Sequence, residues 1–260
     1  MPETLRIDRD DRGVATIWLT RTDKHNAMSA TMMDELRHAA ETLGADDSVR
    51  VVILAAEGKS FCAGGDLGWM REQFEADSAK RMSEARRLAD MLMALDRLPK
   101  PLIGRLQGNA FGGGVGLASV CDYTIGADHI QMGLTEVKLG LIPATIGPYV
   151  IARMGAARAR QVFFQGRVFD APQAERLGLL SRVVSPENLD QAVENEVAPY
   201  LQAAPAAVAR AKALVRELGG GADPAQIDVS VTALAEIWAG DESSEGIAAF
   251  FERRPPAWTK

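Results

Sequence analysis

Two glycine-dense stretches constrain this chain more than any other feature: Phe61-Cys-Ala-Gly-Gly-Asp66 and Gly112-Gly-Gly-Val-Gly116. Each follows an apolar run and leads towards a segment with helical spacing, so each reads as a strand-to-helix turn. Ahead of the first, Arg50 to Ala55 (RVVILA) is a continuous apolar run, the pattern of a strand buried on both faces. Ahead of the second, Pro101 to Leu106 reads as another strand. Glycine in such turns lets the backbone take positive φ and come close to a ligand. A helix start leaves N–H groups without intrahelical partners at the positive end of the dipole. Two such loops facing one cavity would give two converging N–H donors, the arrangement that stabilises an oxyanion. The plain alternative is that each cluster is a tight turn and nothing more.

The rest of the chain fits the same alternation. Val14 to Thr20 (VATIWLT) is a compact β-branched run and reads as a strand. Ser29 is the expected N-cap of a helix with its apolar face on Met32, Met33, Leu36, Ala39, Ala40 and Leu43, and Gly44 is its expected stop. A second helix is expected over Ala79 to Leu98, with Met82, Ala85, Leu88, Met91 or Leu92, and Leu95 as its apolar stripe. Cys121 to Ala127 reads as a further strand. This alternation runs to about residue 180 and indicates α/β layering. Beyond it Leu189–Gln202, Ala206–Leu218, Asp223–Ala239 and Ser243–Arg253 all read as helices, with Gly219, Gly220 and Gly221 as a break. The expected division is therefore an α/β core over 1–188 and a helical region over 189–260.

Charge and composition exclude several function classes. With 29 basic and 35 acidic residues the net charge is −6, which lacks the basic footprint of a nucleic-acid binder. Cys62 and Cys121 form no CxxC pair, so neither a disulfide framework nor a structural zinc site is expected. No run of about 18 apolar residues reads as membrane-spanning, and the first residues carry no apolar signal segment. The expected compartment is the cytoplasm, with no membrane partner. Among motifs, Gly112–Gly116 fails G-x-G-x-x-G because Leu117 stands where the third glycine belongs. No phosphate-binding G-x-x-x-x-G-K-[ST] and no G-x-S-x-G elbow occurs.

Ser60-Phe-Cys-Ala-Gly-Gly-Asp-Leu67, and Gly108-Asn-Ala-Phe-Gly-Gly-Gly-Val-Gly-Leu117 followed by Cys121-Asp122, resemble the enoyl-CoA hydratase/isomerase (crotonase) superfamily. Thr135-Glu-Val-Lys-Leu-Gly-Leu-Ile-Pro143 is similar to that family's second catalytic stretch. Gly166-Arg-Val-Phe-Asp-Ala171 and Glu245-Gly246 with Phe250, Arg254 and Pro255 resemble its later segments. The resemblance runs in order along essentially the whole chain. It implies a ββα spiral with a C-terminal helical region used for trimerisation, assembled as a homotrimer or as a hexamer built from two trimers. It implies an acyl-CoA thioester substrate, oxyanion-hole amides at Gly65 and Gly113, and no separate cofactor, coenzyme A being part of the substrate.

The hydratases of this family commonly carry two glutamates. The second is present as Glu136, but the first position holds Gly116, and a glycine cannot shuttle a proton. Glu136 is then the sole expected acid–base group, taking a proton from water and returning one to the α-carbon. Single-glutamate members include Δ3,Δ2-enoyl-CoA isomerases and hydratases of branched glutaconyl thioesters. Asp66-Leu-Gly-Trp-Met70 and Thr135 to Ile146 are similar to bacterial 3-methylglutaconyl-CoA hydratases of leucine and isoprenoid-acid breakdown. The distal carboxylate of that substrate calls for a cation, for which Arg71 is the expected residue. Trp69 and Met70 are expected to shape the acyl pocket, with Asp66, Leu67 and Gly116 beside them. Lys24-His-Asn-Ala27 resembles the family's nucleotide-contacting loop. On that likeness Lys24 meets a phosphate, and backbone groups of Ala27 and Ala63 hold adenine and pantetheine.

Other residues have quieter readings. Cys62 sits beside the first loop without a local base and reads as a small buried hydrophobe. Asp66 opens a helix and reads as its N-cap, and Asp122 reads as a loop stabiliser. No metal site is expected. The competing functions are a hydratase, an isomerase or decarboxylase using the same amides, and an inactive CoA-thioester-binding or assembly protein, the last suggested by Gly116.

Overall fold

The computed structural model describes residues 2–219 and 221–259. Its strands form two sheets. The first has six strands in the order β1 (Leu5–Arg9), β2 (Val14–Leu19), β3 (Val51–Ala56), β5 (Leu102–Leu106), β7 (Tyr123–Ala127) and β10 (Arg182–Val184). All its neighbours are parallel except the β1–β2 hairpin. The second has four short strands in the order β4 (Ser60–Cys62), β6 (Asn109–Phe111), β8 (Gln131–Gly133) and β9 (Val168–Asp170). Here β4, β6 and β8 run parallel and β9 is antiparallel.

The chain therefore spirals. The pairs β3–β4, β5–β6 and β7–β8 each place one strand in the large sheet and the next in the small one. Helices follow the first two pairs: α1 (Ala30–Ala45) precedes them, α2 (Leu67–Glu75) and α3 (Ser78–Asp96) follow β4, and α4 (Gly113–Ser119) follows β6. Because β4, β6 and β8 are neighbours, the residues just beyond their C-terminal ends fall side by side, one strand spacing of about 4.8 Å apart. The sequence reading missed all three, folding β4 and β6 into glycine turns and giving Gln131–Gly133 no assignment. Three residues are too few for a period to show.

The larger elements have visible causes. β3 lies between β2 and β5 and buries Val51, Val52, Leu54, Ala55 and Ala56, as its unbroken apolar run required. Ser29 caps α1 by accepting from the Met32 amide. Gly44 does not stop α1, which runs on to Ala45; the glycine lies inside the helix against Pro99 and Leu98. On α3 the buried stripe is Ala85, Leu88, Ala89, Met91, Leu92 and Leu95, while Met82 points outward at 38% exposure. Asp77 caps this helix through the Lys80 amide.

After α5 (Gly147–Met154), α6 (Ala156–Phe163), α7 (Ala171–Leu177) and β10, the described chain is helical: α8 (Leu189–Gln202), α9 (Pro205–Gly219), α10 (Pro224–Trp238) and α11 (Asp241–Glu252). Of the expected break at Gly219–Gly221, Gly220 lies outside the described residues. These helices pack on the spiral, α8 over β3, β5 and β7 and α10 against α3 and α5. α11 lies on the turn Glu136–Leu139. That contact is backbone to backbone. A Cβ at Gly246 would strike the Leu139 carbonyl, and one at Gly140 (φ +67°) would strike the Glu242 carbonyl. Only glycine on both sides permits the approach. No helix of the described residues is long and apolar enough to cross a membrane.

Candidate active site

The spiral brings Gly65, Gly113 and Glu136 to one cavity of about 80 Å³. Each follows a strand of the small sheet by two or three residues: Gly65 after β4, Gly113 after β6 and Glu136 after β8. The ends are tied together, the Gly112 N–H donating to the Gly133 carbonyl at 2.9 Å. Gly64 (φ +102°) and Gly112 (φ +49°) hold conformations that disfavour a side chain. A Cβ at Gly112 would lie 2.9 Å from Glu136 Oε1, so the carboxylate presses directly on the glycine turn. The Gly65 and Gly113 N–H groups donate to no backbone acceptor among the described residues. Gly113 opens α4, where an N–H has no intrahelical partner.

Glu136 begins a 3-10 turn over Glu136–Leu139. The residue is partly covered, but its Oε2 is buried and has no hydrogen-bond partner among the described residues. Burial with no compensating cation pushes the carboxyl up to about 7. It is thus poised between base and acid at neutral pH, the condition for moving a proton both ways.

Apart from Thr145, the rest of the cavity is lined by apolar side chains and glycine. Trp69 and Met70 line it as expected, joined by Met28, Leu88, Leu141 and Ile146, and by Leu234 and Trp238 from α10. Trp69 and Trp238 meet edge to face, their centroids 5.4 Å apart. The indole N–H of Trp69 donates to buried Glu84 at 2.8 Å. Burial alone would raise the Glu84 carboxyl; hydrogen bonds from Lys80 and Trp69 and the Arg87 charge outweigh it and hold the group below its ordinary range. A fixed carboxylate therefore fixes the tryptophan wall.

Several sequence expectations need correction. Arg71 is not in the cavity lining; its guanidinium stacks on the Phe251 ring of α11, 4.1 Å from the centroid. Among the described residues no lysine, arginine or histidine lines the cavity. Leu67 also lies outside it, 39% exposed. Asp66 is a cap and an ion-pair partner: it accepts from the Gly68 and Trp69 amides and pairs with Arg21 at 2.9 Å. Burial opposes its charge, but these contacts prevail and hold it below the usual carboxylate range. Gly116 is buried inside α4 and does not reach the cavity. A Cβ there would run into the Ile146 side chain. The room a second glutamate would need is filled by isoleucine, so the single-carboxylate site is built by two positions together.

The loop expected to meet the nucleotide lies along the same edge. Left-handed His25 and Asn26 turn it, and Asn26 Nδ2 donates to the Glu57 and Ser60 carbonyls at 2.9 Å. The Ala63 N–H donates to the His25 carbonyl, and the Met28 N–H to the Gly64 carbonyl. Lys24, Ala27 and Ala63 are thereby brought beside Gly65. Part of the backbone reserved for a ligand is already engaged: the Ala27 carbonyl accepts from Arg21 at 2.5 Å and its N–H donates to Lys24. Lys24 is exposed.

Cys62 is buried and its thiol is pushed up to about 12 by desolvation, which removes it as a nucleophile. Asp122 accepts from the Leu102 amide and from Lys212, both at 2.7 Å, the structural role expected of it. Among the described residues no group of His, Cys, Asp and Glu is arranged to hold a metal. Sequence reasoning gave no role to Thr145 and Ile146, although both lie in the quoted Thr135–Ile146 string, nor to Met28. It also had no signal for Leu234 and Trp238, which reach the cavity from a helix far along the chain.

The sequence profile of the family described as enoyl-CoA hydratase/isomerase matches residues 9–260. The chain belongs to the enoyl-CoA hydratase/isomerase family. It is 35% identical over 240 residues to enoyl-CoA hydratase ACTT6 of Alternaria alternata, covering 92% of this chain and 78% of that one. An enoyl-CoA hydratase from Shewanella pealeana superposes with a TM-score of 0.81 at 36% identity, covering 99% of this chain and 97% of the other. One from Mycobacterium smegmatis does so with a TM-score of 0.80 at 35% identity over 99% of both chains. The α/β spiral with C-terminal helices is the fold expected of such a family member.

Proposed function

We propose that this family member is a hydro-lyase that adds water across the α,β double bond of an acyl-CoA thioester, with Glu136 as its one acid–base group. The observation that carries this reading is the placement of a carboxylate with a buried, unpartnered oxygen in the same cavity as the free amides of Gly65 and Gly113. With the thioester oxygen on those two N–H groups, charge moving onto it is stabilised as the C=C electrons shift; one such donor contributes about 3–4 kcal/mol. Glu136 as carboxylate takes a proton from water while the water oxygen bonds to the β-carbon. As acid it then gives that proton to the α-carbon, and the thioester carbonyl re-forms. Lys24, Ala27 and Ala63 are proposed to meet the CoA portion at the cavity's edge.

For the acyl group, the strings around Asp66–Met70 and Thr135–Ile146 point to 3-methylglutaconyl-CoA. The apolar lining and the absence of Arg71 from it favour a short, uncharged enoyl chain instead, because a buried carboxylate without a cation is costly. A second reading is a Δ3,Δ2-enoyl-CoA isomerase, supported by the filling of the second carboxylate's place by Ile146. Assembly as a homotrimer or hexamer is proposed from the family likeness and from exposed apolar side chains such as Ile151, Phe164 and Val229; light scattering on the eluted protein reads the mass directly.

The deciding assay follows the ultraviolet absorbance of the conjugated thioester with crotonyl-CoA and 3-methylglutaconyl-CoA in parallel. Loss of signal with crotonyl-CoA is expected, and faster than with the dicarboxylate. A gain of signal from a 3-enoyl-CoA, with no loss from either 2-enoyl substrate, would replace the hydratase by the isomerase. No change with any of them would leave a CoA-thioester-binding protein.

A further inference from the structure

We infer that the hydroxyl of Thr145 is the second anchor of the attacking water, in the place that a second carboxylate would otherwise take. The inference deepens the hydratase reading and rests on it. Thr145 lines the same cavity as Glu136 and is 3% exposed. Thr145 forms no side-chain hydrogen bond to protein among the described residues, and Glu136 Oε2 is buried with no partner there. Buried polar groups are nearly always hydrogen-bonded. Glu136 Oε2 lacks its partner, and Thr145 brings a side-chain hydroxyl to the same small lining, with apolar side chains such as Met70, Leu141 and Trp238 around them, so one partner between the two serves both.

A water molecule fits that role. It needs polar partners and far less room than about 80 Å³. A water held by Glu136 alone is free to swing about that one hydrogen bond. A second contact, from its other hydrogen to Thr145 Oγ1, directs an oxygen lone pair at the β-carbon. The Glu136-bound proton leaves as the C–O bond forms, the C=C electrons pass to the thioester oxygen on Gly65 and Gly113, and the proton returns from Glu136 to the α-carbon. The Thr145-bound hydrogen stays on oxygen as the product hydroxyl. The neighbouring residue explains why a threonine is required here. Ile146 fills the space beside Gly116, so no carboxylate can reach the water from α4. Thr145 and Ile146 thus act as a pair, one closing the route from α4 and the other replacing what is lost.

The test uses Thr145→Val, which keeps the shape and removes the hydroxyl, and Thr145→Ser, which keeps the hydroxyl. Two reactions are measured on the full chain: hydration of crotonyl-CoA, and exchange of the α-protons of butyryl-CoA in heavy water, read by proton NMR. Exchange uses Glu136 and the two amides but no attack by water. Thr145→Val is expected to lower kcat for hydration about 30-fold, a loss of alignment, with KM within about twofold and exchange retained. Thr145→Ser is expected to recover most of the rate. Equal loss of both reactions in Thr145→Val would make the residue structural and overturn the inference, as would unimpaired hydration. If the wild-type protein exchanges α-protons but hydrates nothing, the hydratase reading falls and this inference falls with it. Wild-type hydration with an indifferent Thr145→Val overturns Thr145 alone.

Discussion

The corner of the spiral gives the cavity two backbone amides and one carboxylate, whereas α10 of the C-terminal region gives it Leu234 and Trp238. The first wall is set by β4, β6 and β8, whose parallel pairing fixes where Gly65, Gly113 and Glu136 fall. The second is set by the packing of one helix on α3 and α5. In the proposed reaction, chemistry and selectivity therefore have separate structural owners. The sheet-anchored wall is expected to govern whether a proton moves, and the helical wall which acyl chain is admitted. The joint between them is α11, seated on the Glu136–Leu139 turn through Gly246. Substitutions on the two walls are expected to change different measurements.

The largest effect is expected at Glu136. Glu136→Gln is expected to cut kcat by roughly a thousandfold, the scale of general acid–base catalysis, with binding of CoA thioesters largely kept. Wild-type kcat/KM is expected to rise with pH through about 7, because the carboxylate form takes the water's proton. Stability should run the other way. A carboxyl raised from its ordinary 4.5 to about 7 binds its proton more tightly in the folded state. Its folded form is therefore unpenalised below about 4.5 and loses stability progressively up to about 7. Glu136→Gln is then expected to be more stable than wild type at pH 8, by up to about 3 kcal/mol, and equal to it at pH 4. Denaturant titrations at the two pH values check this. A variant with full turnover would remove the carboxylate from the mechanism.

That wall was only partly legible in the sequence. The apolar runs of β2, β3, β5 and β7 are long enough to announce strands, and the Ser29 and Asp66 caps are local signals. The three strands that actually align the site have three residues each and no readable period. Glycine clustering showed where the turns were, but their convergence depends on long-range pairing that no local pattern encodes. The likeness of Glu136 to a family position supplied what periodicity did not. The helical wall was less legible still. Trp238 lies on α10 as one apolar residue of an amphipathic stripe, and nothing in its neighbours distinguishes a cavity wall from core. A distal carboxylate needs a cation, and in the sequence Arg71 is the one beside the pocket residues; those neighbours line the cavity, but the helix turns Arg71 away towards Phe251.

The helical wall should yield a smaller and different effect. Trp238→Leu removes the edge contact with Trp69 and opens the end of the cavity. The expected result is a loss of about 1–3 kcal/mol in stability and a shift of about tenfold in kcat/KM towards longer enoyl chains, the scale of one or two methylenes in an apolar pocket. The pH midpoint should remain near that of wild type, since Glu136 keeps its surroundings. Unchanged chain-length preference, measured across enoyl-CoAs of increasing length, would merge the two walls into one determinant.

The smallest effect is expected at Arg71, and it tests the apolar character of the cavity. Its guanidinium joins α2 to α11 by stacking on Phe251, and the residue is exposed. Such a contact contributes about 0.5–1 kcal/mol. Arg71→Ala is therefore expected to lower stability by about that amount and to leave kcat/KM within about twofold for both crotonyl-CoA and 3-methylglutaconyl-CoA. A selective rise in KM for the dicarboxylate would show the side chain leaving Phe251 and entering the cavity on binding. The stacked position would then be a resting place and the substrate a dicarboxylate after all. Equal small changes with both substrates would instead fix Arg71 as a clamp between the helix after the first glycine loop and the helix seated on the Glu136 turn. In that case it belongs to the joint between the walls and to neither wall.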